Sequence, residues 1–193
     1  MTRNGSSSDH TETNDAGAGR VSVYLRPLAV ADTDAVHDWA RREQACRYQS
    51  WGPNSWEQTA AFVAAAADSW TVRPQTRFSY AIEVDGLVAG SADLHLRGPS
   101  TAEIAYIVHP RLWGRGVATT TAWELLRIGF ADRGRHRIFA TCDPRNVASS
   151  RVLQKIGMTY EGRMRGTERI RDGWRDSDLY AILADELQLP RGS

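Results

Sequence analysis

The chain reads as an α+β domain built around a single mixed sheet, and three features carry that reading. A strand-period segment near the N-terminus is followed by two helical stretches. Three alternating strands joined by tight turns occupy the middle of the chain. The second half then changes to strand, glycine-bearing loop, helix, strand, helix and two closing strands. A chain of 193 residues has room for one such domain and a proper core.

The elements follow in order. Val21–Arg26 alternates Val21, Val23 and Leu25 onto one face and ends near Pro27. Asp32 or Thr33 is placed to cap a helix carrying Val36, Trp39 and Ala40 on one side. Ser55-Trp56-Glu57-Gln58 is a capping box that opens a second helix with Thr59, Phe62, Val63, Ala66 and Trp70 at helical spacing. Phe78, Tyr80, Ile82 and Val84 then alternate, Asp85-Gly86 is a strong hairpin signal, and 87–96 returns as the partner strand. Gly98-Pro99-Ser100 marks another turn before a third strand, Glu103–Val108.

Beyond residue 110 the period changes. Pro110–Gly116 is a loop, and Val117, Thr121, Leu125 and Ile128 form one stripe of a helix that Gly134 ends. Arg137–Cys142 is a short strand. Asn146 caps a helix with Ala148, Val152, Leu153 and Ile156, and Gly157 stands where a left-handed stop is expected. Tyr160–Arg165 and Leu179–Leu183 are the closing strands. A Ser/Gly/Asp/Thr-rich tail at 1–19 is expected to be disordered, the domain to span 20–187, and 188–193 to be a C-terminal tail.

Composition bounds the function. A formal net charge of +1 gives no footprint for nucleic acid or membrane lipid. Cys46 and Cys142 lack metal-ligand spacing, so neither a disulfide framework nor a metal is expected, and a reducing cytoplasmic setting is the default. No apolar run approaches the roughly 18 residues of a membrane helix, and the N-terminal segment lacks the apolar centre of a signal peptide.

The segment bearing chemistry is Arg111-Leu112-Trp113-Gly114-Arg115-Gly116, between a strand and a helix. A helix start offers unpartnered N–H groups and partial positive charge, and glycines let a phosphate approach the backbone. Glycine in such a turn also has an ordinary steric reading. A nucleotide P-loop would need Lys-Ser/Thr after the last glycine, where Val117 stands. A dinucleotide loop would want a third glycine at Thr119 and the first strand of a βαβ unit.

Arg111-x-x-Gly114-x-Gly116 resembles the acyl-CoA pyrophosphate loop of the GNAT N-acetyltransferase superfamily. Asn146-Val147-Ala148-Ser149 through Lys155-Ile156-Gly157-Met158 is similar to the second CoA segment of its RimJ/RimL-like branch. Leu25-Arg26-Pro27-Leu28, Arg47-Tyr48-x-x-Trp51 and Arg171–Asp176 also resemble that branch, all in order between about residues 20 and 187. The resemblance implies an α/β sandwich: a mostly antiparallel sheet of about seven strands with a V-shaped split, flanked by about four helices.

It further implies acetyl-CoA as co-substrate, an amine acceptor (protein N-terminus or small molecule), direct attack in a ternary complex, no metal, and a monomer or homodimer. Backbone groups of Ile107 and Val108 would hold the pantetheine arm. Arg111, Gly114, Arg115, Gly116, Val117, Ala118 and Thr119 would hold the pyrophosphate, and Asn146 would contact the cofactor as well as cap its helix. Glu103 is the candidate base and Ser149 the donor to the leaving thiolate; a solvated or strand-bonded glutamate and an ordinary first-turn serine are the plainer readings. Tyr48 and Trp51 are placed beside the acceptor. His95 with Asp93 shares a strand face and reads as a hydrogen-bond pair, His109 as a loop residue, Cys142 as a small buried residue, and the arginine-rich 161–178 stretch as a salt-bridged hairpin. A non-catalytic acyl-CoA-binding module on the same fold is the alternative.

Overall fold

The computed structural model describes residues 21–187. The tails expected at 1–19 and 188–193 lie outside the described residues. Seven strands, β1 (Val23–Pro27), β2 (Arg77–Val84), β3 (Leu87–Leu96), β4 (Thr101–Val108), β5 (Arg137–Cys142), β6 (Thr159–Ile170) and β7 (Gly173–Leu183), make one sheet in the order β1-β2-β3-β4-β5-β7-β6. Every neighbouring pair is antiparallel except β4 and β5. That parallel pair is joined at Thr101–Arg137, Ala102–Ile138 and Glu103–Phe139, and the strands then part. The V-shaped split expected of this sheet is therefore present.

Helices cover both faces. On one face lie α1 (Thr33–Ala40), the single turn α2 (Glu43–Cys46) and α3 (Trp56–Asp68); on the other lie α4 (Val117–Arg127) and α5 (Val147–Lys155). The count exceeds the expected four because α2 is too short to show a helical period. Strand alternation divides the core accordingly. Phe78, Tyr80, Ile82, Leu94, Ile104 and Ile138 face α4 and α5 with Leu125, Leu126, Leu153 and Ile156. Leu28, Val36, Trp39, Val63, Ala66 and Ala81 form a second cluster under α1 and α3.

Local chemistry explains the element ends. At α3, Ser55 Oγ accepts from the Gln58 N–H and Gln58 Oε1 accepts from the Ser55 N–H, so the capping box forms as read. At α1 neither expected side chain caps the helix. Asp32 instead accepts two bonds from the Arg26 guanidinium, both at 2.7 Å, and one from the Ala29 N–H, while Thr33 Oγ1 donates to the Val30 carbonyl. The bidentate ion pair outcompetes the cap and ties α1 to the end of β1. Asp85 and Gly86 both take positive φ, 53° and 75°, as a tight two-residue hairpin requires.

The two closing strands run further than their apolar alternation suggested, to Ile170 and from Gly173. Their outer halves are polar and held by charge: Arg163 Nε donates to Asp178 at 2.7 Å, the Gly166 N–H to Asp176 at 2.9 Å, and Thr167 Oγ1 to Ser177 Oγ at 2.7 Å. The salt-bridged hairpin expected there is what forms.

Gly90 on β3 is the tightest backbone approach in the sheet. A Cβ there would overlap the Ile107 carbonyl oxygen of β4, and no flexible side chain stands in between to yield. Its φ is not in the left-handed region, so torsional relief does not enter. Gly90→Ala is expected to destabilise by about 1–3 kcal/mol through overpacking, measured by urea unfolding. A gain in stability, the usual result of Gly→Ala in open extended backbone, would contradict this packing.

Candidate functional site

The loop after β4 is shaped by its two glycines. Gly114 and Gly116 sit at φ of 76° and 82°, and a Cβ at either would meet nothing, so backbone conformation and not space requires them. Gly116 is the N-terminal boundary of α4, and its carbonyl accepts the first helical bond, from the Thr120 N–H at 3.0 Å. The N–H groups of Val117, Ala118 and Thr119 thus point out of the helix start without i−4 partners. Arg111 and Arg115 stand exposed beside them, and neither has an acidic partner among the described residues. Exposed backbone donors, a helix dipole and two free guanidinium groups make a seat for a polyanion.

The split runs into this seat. The His109 N–H donates to the Ala89 carbonyl on β3, while the Ser100 carbonyl accepts from His136 and Arg137 on the β5 side. Strand parity therefore turns the odd-numbered backbone of β4 toward β3 and the even-numbered backbone toward β5. Past Glu103, the backbone groups of Ile104, Tyr106 and Val108 face the gap. This corrects the expectation for Ile107, whose N–H and C=O are turned to β3; Tyr106 and Val108 border the split. The Val108 carbonyl accepts from the half-exposed Trp113 indole at 2.8 Å, a side chain of the glycine loop itself.

On the far wall, Asn146 caps α5: its Oδ1 accepts from the Ser149 N–H at 3.1 Å. The preceding turn is anchored by Asp143, whose side chain is 1 % exposed. Asp143 accepts from the Arg145 N–H, Nε and Nη2. Burial pushes the Asp143 carboxyl up, but donation from Arg145 and the charge of Arg175 outweigh it and hold the group below its ordinary range. Ser149 neighbours Tyr106 of β4, and α5 packs beside α4.

Glu103 lies elsewhere. It sits at the closed end of the split, paired across to His95 and Phe139, and its parity turns it away from α5. Both bonds from Arg97, at 2.9 and 2.6 Å, fall on its Oε2. The carboxylate is ion-paired, not desolvated and alone. His95 stands beside it; burial pushes the His95 imidazole down, with Asp93 opposing. Asp93 is committed to Arg77 and Ser79, so the Asp93–His95 contact stretches to 3.9 Å and is the lesser of its partnerships. Tyr48 reaches the α5 side, with the Arg145 guanidinium 6.0 Å from its ring, whereas Trp51 packs edge-on to Trp39 at 5.9 Å.

His109 has a structural role that the sequence did not reveal. Its Nδ1 accepts from the Arg111 N–H at 3.0 Å, leaving Nε2–H to donate to Asp38 of α1 at 3.0 Å. Asp38 also accepts from Arg42 at 2.6 Å. These bonds hold the Asp38 carboxyl well below the usual carboxylate range, His109 first and Arg42 next. The imidazole thus couples the glycine loop to the opposite helical layer.

A model of the acetyltransferase (GNAT) domain matches residues 22–159. The chain belongs to the GNAT acetyltransferase family. The uncharacterized N-acetyltransferase YnaD of Bacillus subtilis is 29 % identical over 168 residues, covering 85 % of this chain and 95 % of that one. The spermidine N(1)-acetyltransferase of Escherichia coli K12 is 28 % identical over 151 residues, covering 74 % and 76 %. Among solved structures, RimJ of Mycobacterium smegmatis in complex with a CoA disulfide superposes with a TM-score of 0.78 at 27 % identity, covering 86 % and 84 %. This GNAT chain is accordingly an acyltransferase of RimJ/RimL-like type, and no helix among its described residues is long and apolar enough to cross a membrane.

Tyr106, Asp143, Trp113 and the His109–Asp38 pair were not singled out from sequence as parts of the site. Tyr106 and Asp143 occupy ordinary strand and strand-end positions, and only the third dimension gives them partners. Cys142 is buried with its thiol pushed up to about 11 by burial and then by Asp178; Cys46 is fully buried and its Sγ–H donates to the Ala40 carbonyl at 3.1 Å. Neither is poised as a nucleophile. Native protein is expected to resist a thiol reagent such as DTNB at pH 8 and to react with two equivalents once denatured; rapid native labelling of Cys142 would contradict the geometry.

Proposed function

We propose that this GNAT enzyme transfers acetyl from acetyl-CoA to a primary amine by direct attack in a ternary complex, in the cytoplasm, as a monomer or homodimer. One observation carries the reading: the unpaired inner edge of β4 leads straight to the unpartnered N–H groups at the start of α4. A linear molecule with an amide-bearing arm and a pyrophosphate end fits that continuous run of backbone donors and acceptors. Gly114, Arg115, Gly116, Val117, Ala118 and Thr119, with Arg111, hold the pyrophosphate; the backbone of Tyr106 and Val108 takes the arm, with Trp113 releasing the Val108 carbonyl. Asn146 fixes the α5 turn against the cofactor.

Glu103 removes the amine proton, through water, from the face opposite α5. Both Arg97 bonds lie on Oε2, which leaves Oε1 to meet that water. As the C–N bond forms and C–S breaks, Ser149 donates to the departing sulfur. Tyr48 borders the acceptor entrance, and Trp51 supports it from the core. The relative that acts on spermidine raises a polyamine acceptor, but the acidic groups on the face of Glu103 are already matched: Asp93 to Arg77 and Glu103 to Arg97. That neutrality favours a singly charged amine, a protein N-terminus or small molecule, over a polycation. The Arg97–Glu103 pair is also what a non-catalytic acyl-CoA-binding module would have.

Thiol release from acetyl-CoA across a panel of amines tests the reading. Glu103→Gln is expected to lower kcat by about 10²-fold with the KM for acetyl-CoA unchanged, and Ser149→Ala to lower it less. Binding of acetyl-CoA without turnover for every amine favours the module. No binding at all overturns the reading.

A further inference from the structure

His109 follows β4, opens the glycine loop, and is bonded on four sides. Its N–H donates to the Ala89 carbonyl at 2.7 Å, and its C=O accepts from the Leu112 N–H at 2.9 Å. Its ring accepts from the Arg111 N–H through Nδ1 and donates to Asp38 through Nε2, both at 3.0 Å. The side chain is 10 % exposed, so water is no ready substitute for either partner.

Only one of the two ring bonds is local. A side chain that accepts from the N–H two residues on is what Asn, Asp, Ser or Thr supplies at the start of a turn. Any of them would complete the loop by itself. Histidine adds a second nitrogen on the far side of the ring, and that nitrogen reaches Asp38, 71 positions earlier on α1. An imidazole also brings an ambiguity that an amide or hydroxyl oxygen lacks, because its proton can sit on either nitrogen. With the proton on Nδ1, two N–H groups would face each other and the Arg111 bond would be lost. A carboxylate at Nε2 removes the ambiguity. Asp38 is itself fixed: Arg42 and Arg41 both donate to its Oδ1, at 2.6 and 3.2 Å, and Oδ2 is left to the imidazole.

The Arg111 bond in turn fixes the short turn Pro110–Leu112, after which the Trp113 indole closes onto the Val108 carbonyl. Gly114 and Gly116 start from that anchored point.

We infer that Asp38 and His109 are a positioning pair for acetyl-CoA: Asp38 sets the imidazole tautomer, and the imidazole sets the glycine loop that receives the pyrophosphate. The inference rests on the proposed role of that loop. Neither residue touches the reacting atoms, so the pair governs affinity for the cofactor and leaves the chemical step alone.

Acetyl-CoA binding to the full chain, followed by isothermal titration calorimetry, tests the pair. His109→Ala is expected to raise Kd by about tenfold or more, with kcat at saturating acetyl-CoA within about twofold. Asp38→Ala is expected to raise Kd by about fivefold or more, since the ring proton is left unassigned and Nε2–H unpaired. His109→Asn keeps an oxygen for the Arg111 N–H and has no tautomer to set, so its Kd is expected within about threefold of the wild type. The deciding variant is the double one. Adding His109→Asn to Asp38→Ala is expected to restore Kd to within about threefold of the wild type, whereas a merely structural loss at α1 would persist. An unchanged Kd in His109→Ala overturns the positioning role. A double variant as weak as Asp38→Ala overturns the tautomer role. Wild-type protein that binds no acetyl-CoA overturns the proposed function itself, before any substitution is made.

Discussion

The architecture depends on where the β4–β5 ladder stops. Each strand is firmly held on its outer edge: β4 by β3 from Ala102 to Val108, and β5 by β7 along its whole length from Arg137 to Cys142. Their shared inner edge closes only at Thr101–Glu103 with Arg137–Phe139, and beyond this two well-anchored half-sheets diverge. Backbone groups that cannot be left dry and unpaired then line a gap inside the molecule. A ligand with its own amides satisfies them at no cost to the fold, because neither half-sheet has to rearrange. The site is thus a consequence of incomplete sheet closure and not of a loop added to a finished domain.

In the proposed reading the same divergence separates donor from acceptor. Parity sends Tyr106 and the Val108 side chain toward α4 and α5, and sends Glu103 to the opposite face with His95. In the proposed mechanism, chemistry between the two sides passes through the gap, with proton removal and sulfur departure on opposite sides of the carbonyl. His109 bridges the layers: one imidazole nitrogen holds the glycine loop and the other holds Asp38 of α1. Movement of α1 is therefore mechanically connected to the glycine loop.

Much of this was legible in the sequence wherever one residue type has one physical use. The Ser55–Gln58 box, the Asp85-Gly86 hairpin, the Asn146 cap and the glycines at 114 and 116 each form as their local chemistry requires. What the sequence did not disclose depends on competition or register. Asp32 looks like a cap until Arg26 arrives from β1 and takes its oxygens. Ile107 looks as well placed as Val108 until the β3 register fixes which residues turn their backbone to the split. Glu103 looks free until Arg97 folds onto it from the neighbouring turn. The outer halves of β6 and β7 lack an apolar period because polar cross-strand bonds, one of them an ion pair, replace burial. Tyr106 is an ordinary strand aromatic in one dimension, and only the register with β3 turns its backbone to the split.

The central claim is that the splayed edge of β4 and the start of α4 form one continuous cofactor seat. Amide NMR during titration with acetyl-CoA tests it most directly. The Val117, Ala118 and Thr119 N–H signals, the Tyr106 and Val108 amides and the Trp113 indole N–H are expected to shift together and saturate at one equivalent. Saturable binding that leaves these signals in place, while moving others, would contradict the account.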